Sequence, residues 1–168
     1  MGYDLVMKKA LIVIDVQNGF VNKRTASLPA KIENLIRGNK YPLVVFSKFI
    51  NRKQSNYFKL LSWKKMQEAP DTDIHTRLRK FANKKNTFTK TAYSVFKAKG
   101  FYDFLKKNSV TELHICGIDS DGCVLATAFE AFDLGYTVTV LSKFSRSQSG
   151  KVFDKSAFMI LRKSIKVI

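Results

Sequence analysis

The seven residues Ala10-Leu-Ile-Val-Ile-Asp-Val16 constrain this chain more than any other stretch. Apart from Asp15 the run is apolar and rich in β-branched side chains, so neither of its faces can be left to water. Such a segment belongs at the centre of a sheet covered on both sides, which is the habit of parallel sheets with helical crossovers.

The rest of the chain alternates in the way that architecture needs. Leu28 to Arg37 carries Ile32, Leu35 and Ile36 at helical spacing, and Gly38 closes it. Leu43 to Phe49 reads as a second strand, entered through Pro42, where a missing donor is tolerated. Asn51 to Asn56 is a polar loop, and Tyr57 to Met66 a helix with Phe58, Leu61 and Trp63 turned inward. After a loop through Pro70, Ile74 to Phe81 is a short helix and Asn86 to Thr91 alternates like a short strand. Ser94 caps a helix from Val95 to Lys107 whose apolar positions are Phe96, Phe101, Phe104 and Leu105. Thr137 to Leu141 is a further strand, Lys151 to Lys163 the last helix and Ser164 to Ile168 a short closing strand. Right-handed crossovers place these helices on both faces of one mostly parallel sheet.

At 168 residues one domain of ordinary size is expected, spanning residues 1–168 without linker or repeat. Met1 to Lys9 is too polar for a leader, and no run nears the roughly 18 apolar residues of a spanning helix. Two cysteines make no disulfide framework, so a cytoplasmic protein with reduced thiols is expected. The net charge of +17 raises the question of nucleic acid. Its lysines are spread in pairs such as Lys8-Lys9 and Lys106-Lys107, with no basic tail, RNP-like aromatic motif or Cys/His finger. A solvated, lysine-rich surface accounts for them, and neither nucleic acid nor membrane is expected as a partner.

The chemistry concentrates between His114 and Tyr136. Glu112 to Ile118 reads as a buried parallel strand; Gly117 loosens the backbone; Ser120 and Asp121 are N-cap residues; and Cys123 falls in the first helical turn. Val124, Leu125, Ala128, Phe129, Phe132 and Leu134 form the apolar stripe of that helix, ended by Gly135. A thiol at a helix N-terminus, just beyond the carboxyl end of a strand, lies where thiolate is favoured and where open α/β sheets bind ligands. The plainer reading of a free cysteine is a packing residue, and Cys116, in mid-strand, is assigned to that role.

Two other polar groups interrupt strand ends: Asp15 after the first strand and Lys90 near the end of the short one. In a parallel sheet all such ends share one edge, so Asp15, Lys90 and Cys123 can converge from distant parts of the chain.

Three segments carry a family likeness: Ile14-Asp-Val-Gln-Asn-Gly-Phe20, Lys90-Thr-Ala-Tyr-Ser-Val-Phe96 and Gly117-Ile-Asp-Ser-Asp-Gly-Cys-Val-Leu-Ala-Thr-Ala128. In order and rough spacing they resemble the isochorismatase-like cysteine hydrolases, which include nicotinamidases and N-carbamoylsarcosine amidases. The resemblance runs over nearly the whole chain. It implies a three-layer α/β/α fold of Rossmann-like topology around about six mostly parallel strands, and an Asp15, Lys90, Cys123 triad. It further implies a cis peptide between Ile118 and Asp119 that aims the Asp119 and Cys123 N–H groups into an oxyanion hole. A homo-oligomer is implied as well. The reaction implied is hydrolysis of a small-molecule amide, carbamoyl or ureide C–N bond through a thioester, with no organic cofactor.

One departure bears on substrate. Nicotinamidases carry an Asp-x-His pair and a further His after the second strand as a metal site, whereas Ser47 to Asn56 here holds neither His nor carboxylate. No metal site is therefore expected, which counts against nicotinamidase activity. Phe20 and Tyr93 are candidate pocket walls, with Trp63 a weaker one. Vinyl-ether hydrolysis of the isochorismate type, which need not use the thiol as nucleophile, and a non-catalytic relative that binds a small molecule or nucleic acid stay open as alternatives.

Overall fold

The strand that opens the fold, β1 (Lys8–Ile14), buries every residue from Ala10 to Ile14, as its uninterrupted apolar run demands. The computed structural model describes residues 8–168; of the segment read as too polar for a leader, residues 1–7 lie outside the described part. Around β1 lie β2 (Leu43–Phe49), β3 (Thr87–Lys90), β4 (Val110–Ile118), β5 (Thr137–Arg146) and β6 (Lys166–Val167). They form one six-stranded sheet in the order β3-β2-β1-β4-β5-β6, and every pairing is parallel. The sequence-based expectation of a mostly parallel sheet thus resolves to a wholly parallel one.

The period-two alternation of β1 divides the core. Ala10, Ile12 and Ile14 pack against α4 (Phe101–Lys107), α5 (Leu125–Asp133) and α6 (Lys151–Leu161), through Phe101, Leu105, Ala128, Ala131, Phe158 and Leu161. Leu11 and Val13 face α1 (Leu28–Arg37) and α3 (Thr76–Arg79), through Leu28, Ile32 and Leu78. Burying each such side chain stabilises the fold by about 1.5–3 kcal/mol. The result is three layers, α/β/α. Buried Glu33 on α1 takes Lys80 at 2.6 Å and Arg77 and Arg37 at 3.2 Å, tying α3 to α1. Those three cations hold its carboxyl down at about 2, the Lys80 bond foremost and against the cost of desolvation.

Four expectations need correction. The helix expected over Val95–Lys107 is two pieces, a 3-10 turn Val95–Lys97 and α4, because Gly100 takes φ +80° and starts α4 afresh. The one expected over Tyr57–Met66 shrinks to α2 (Asn56–Leu61), stopped by Ser62 in the left-handed region. Leu61 accordingly points outward, as do Phe132 and Leu134, because the α5 face against the sheet is built from small residues, Thr127, Ala128 and Ala131. Strand β5 runs five residues beyond the expected Leu141, with a register shift against β4 between Ile115 and Gly117.

Candidate active site

The carboxyl ends of β3, β2, β1 and β4 lie in a row along one edge of the sheet, and the three interrupting side chains meet there. Asp15 follows β1 at φ +47° and is fully buried. Ser47 of β2 fixes it from both sides, donating from Oγ to Asp15 Oδ1 at 2.6 Å and accepting the Asp15 N–H at 3.1 Å. Lys90, the last residue of β3, turns inward with its side chain wholly shielded from water. Its Nζ donates to Asp15 Oδ2 at 2.6 Å, to the Ala92 carbonyl at 2.9 Å and to Cys123 Sγ at 3.3 Å, and sits 5.3 Å from the Phe49 ring centre. All three ammonium donors are thereby used. Burial alone would lower the Lys90 pKa, but Asp15 and Cys123 outweigh it and hold the ammonium charged.

Cys123 reaches the same point from the other side of the sheet's edge. Gly117 makes this possible: at φ +129° a Cβ there would lie 2.1 Å from the Ile14 carbonyl oxygen, so only glycine lets β4 pass β1 this closely. The Ile118–Asp119 peptide is cis, as the family resemblance implied. The chain then enters not a capped α-helix but a π-turn, Ser120–Val124, in which the Asp119 carbonyl accepts the N–H groups of Gly122 at 3.1 Å and Val124 at 3.0 Å. The N-cap roles expected for Ser120 and Asp121 are therefore corrected. Ser120 Oγ donates instead to Asp154 of α6 at 2.6 Å, and Asp121 Oδ1 is buried with no hydrogen-bond partner among the described residues.

The expectation that the helix N-terminus favours thiolate is corrected as well. Burial, followed by the Asp15 carboxylate, pushes the Cys123 thiol up, and the opposing pull of Lys90 does not overcome them. The sulfur lies beside a carboxylate able to take its proton. Cys116, fully buried in β4, is pushed up by desolvation alone and touches no base.

Above the sulfur opens a cavity of about 170 Å³ whose walls are largely rings: Phe20, Phe49, Tyr57, Trp63 and Tyr93. Phe20 lies parallel to Trp63 at 6.4 Å between ring centres, and Tyr57 meets Tyr93 at 5.0 Å. Phe20 and Tyr93, the expected walls, both line it, and so does Trp63. Sequence reasoning missed Phe49, Tyr57, Ser47 and Gln148. A lone hydroxyl in the apolar run Leu43–Phe49 was the one available signal for Ser47; Tyr57 and Gln148 gave none. Buried Gln17 braces the rim, accepting the Phe49 N–H at 2.7 Å and donating to the carbonyls of Phe49 at 2.9 Å and Thr72 at 2.7 Å.

The residues after β2 do not suit a metal ion. Asn51 spends its amide on the carbonyls of Trp63 at 2.6 Å and Lys65 at 3.0 Å, and its oxygen accepts from Ser55. This clamp holds the Trp63 loop over the pocket. Among the described residues no three His, Cys, Asp or Glu side chains are grouped to hold a metal. His114 lies within β4, hydrogen-bonded to Tyr41 at 2.8 Å and Glu112 at 2.7 Å.

Comparison with known proteins gives a consistent picture. The family model of the isochorismatase domain matches residues 9–160. An uncharacterised isochorismatase family protein of Bacillus subtilis, PncA, is 28% identical over 173 residues, covering 90% of this chain and 94% of its own. An isochorismatase-like hydrolase from Alkaliphilus metalliredigens superposes with a TM-score of 0.84 at 20% identity, over 95% of this chain and 93% of that one. The pyrazinamidase of Pyrococcus horikoshii, solved in complex with zinc, superposes with a TM-score of 0.82 at 22% identity, over 96% and 98%.

Proposed function

The chain belongs to the isochorismatase family of hydrolases, and from that footing we propose that it is a cysteine hydrolase cleaving the C–N bond of a small amide, carbamoyl or ureide compound. One observation carries the reading: a buried ammonium, Lys90, that touches a carboxylate at 2.6 Å and a thiol at 3.3 Å beneath a small cavity. A packing cysteine has no use for such neighbours.

The mechanism follows from their chemistry. Asp15 takes the Cys123 proton as the sulfur attacks the carbonyl carbon, so the thiolate forms only when its charge is passing to the substrate oxygen. That oxygen is held by the N–H groups of Asp119 and Cys123, each such donor typically worth about 3 kcal/mol in the transition state. Asp15 then gives the proton to the departing nitrogen as the C–N bond breaks, leaving a thioester on Cys123. Water adds to the thioester and passes a proton to Asp15; the C–S bond breaks, the acid leaves, and the proton returns to sulfur. Lys90 stays charged throughout, keeping Asp15 anionic between proton transfers.

The cavity bears on substrate size. An apolar cavity of about 150 Å³ accepts benzene, so about 170 Å³ suits a compound of roughly six to eight heavy atoms. The test is a screen of primary amides, carbamoyl compounds and ureides against the wild type and Cys123→Ala. Ammonia release by the first and not the second supports the reading; equal release by both refutes it.

A further inference from the structure

Among the described residues the pocket wall holds one carboxyl, in a chain whose net charge is +17, and no Lys or Arg. Asp119 sits beside Cys123, its Oδ1 taking the Gln148 N–H at 2.7 Å. Among the described residues no cation pairs with it: Lys90 is committed to Asp15, and Arg24 donates to the Gln148 carbonyl at 2.9 Å. Its second oxygen accepts no protein hydrogen bond among the described residues and is not sealed in the interior, and Asp119 is one of the residues lining the cavity. Gly122 lies between Asp119 and the Tyr93 ring; even a Cβ there would stand 3.7 Å from one and 3.6 Å from the other. The Cβ of Asp119 and the Tyr93 ring thus flank Gly122, which puts no side chain between them.

A partly desolvated carboxylate without a counter-ion is costly, and the faces of aromatic rings attract cations. Resting on the hydrolase reading above, we propose that this site selects small amides whose far end carries a positive charge, with Asp119 as the counter-ion and the Phe20, Tyr57, Trp63 and Tyr93 rings as the enclosing wall. The amide carbonyl lies over Cys123 and the ammonium end against Asp119. An anionic substrate is disfavoured at the wall even though the lysine-rich surface attracts it from a distance, because surface charge is screened within about 8 Å at physiological salt.

Three probes of matched size separate the possibilities: β-alaninamide (cationic), butyramide (the same heavy-atom skeleton, neutral) and malonamate (anionic). Their affinities are measured by calorimetry on Cys123→Ala, which binds without turnover, and on Cys123→Ala with Asp119→Asn, which keeps an oxygen for the Gln148 N–H. β-Alaninamide is expected to bind at least ~10-fold more tightly than butyramide, with malonamate weakest, and the added Asp119→Asn to bring the first two within ~3-fold. Equal binding of the neutral or anionic amide, binding of none of the three, or a preference that survives Asp119→Asn overturns the proposal. Ammonia release from β-alaninamide by the wild type is scored separately. Cation-selective binding without hydrolysis sustains the selectivity and counts against the hydrolase reading alone.

Discussion

Replacing Lys90 by Met removes a charge from a pair whose two side chains are both 0% exposed. The lost contact at 2.6 Å matters less than what remains: a carboxylate in the interior with the Ser47 hydroxyl and the Cys123 thiol beside it and no counter-ion. Breaking a buried pair in this way costs about 3–5 kcal/mol, whereas removing both charges together is often neutral or stabilising. For a domain of this size each kcal/mol is worth roughly 2–4 °C, so Lys90→Met should melt about 6–20 °C below wild type. Asp15→Asn with Lys90→Met should recover most of that loss, because Asn still accepts from Ser47 and needs no counter-ion. The assay is thermal and urea unfolding of the wild type, both singles and the double, alongside turnover. All three variants should be inactive, so stability and activity part company in the double. A Lys90→Met protein melting within ~2 °C of wild type, or a double no more stable than that single, would refute the argument from burial.

Three further outcomes are expected from the same geometry. Burial lifts the Asp119 carboxyl from its ordinary 3.8 to about 6, with Asp121, Asp15 and Asp154 adding to the rise against the Gln148 N–H. The folded state therefore holds a proton that the unfolded chain releases, and wild-type stability declines as pH rises from about 4 to about 6. At ~1.4 kcal/mol per pH unit the full cost is ~3 kcal/mol, reduced by partial exposure to ~1–2, so Asp119→Asn should melt higher than wild type at pH 8 and not at pH 4; an equal difference at both values contradicts this. Iodoacetamide should modify Cys123, which opens on the cavity, and leave Cys116 untouched in the native protein, with labelling that accelerates as pH rises because the thiol is held protonated; peptide mass mapping reads both residues. Gly117→Ala should cost more than ~3 kcal/mol or prevent folding, since its Cβ lands 2.1 Å from the Ile14 carbonyl oxygen at a φ that side chains resist; a soluble variant with wild-type melting temperature contradicts the close approach of β4 to β1.

The sequence spoke most clearly where one requirement acted alone. Ala10 to Ile14 has no polar side to show to water, so its burial and central place were readable from composition and order. Asp15, Lys90 and Cys123 were readable because each interrupts a strand end, and parallel topology sends strand ends to one edge. Reading failed where tertiary contact overrides local pattern. The spacing of Phe101, Phe104 and Leu105 is helical, yet Gly100 at positive φ cuts Phe96 off from that segment. Ser120 and Asp121 look like caps, but Asp154 of α6 claims the first and a π-turn displaces both. Thiolate was expected from helix position alone; the burial and the Asp15 carboxylate that reverse it are features of the assembled site. Phe49, Tyr57 and Gln148 come to the pocket from three separate segments and carry no mark in the sequence.

The proposed reaction rests on a covalent bond to one sulfur. Acid quenching during turnover of an amide that the wild type hydrolyses, followed by intact and peptide mass spectrometry, tests it directly. The expected result is a transient acyl group on Cys123, absent from Cys116, and abolished together with turnover in Cys123→Ala. Steady turnover by Cys123→Ala, or an acyl group found on any residue other than Cys123, would contradict it.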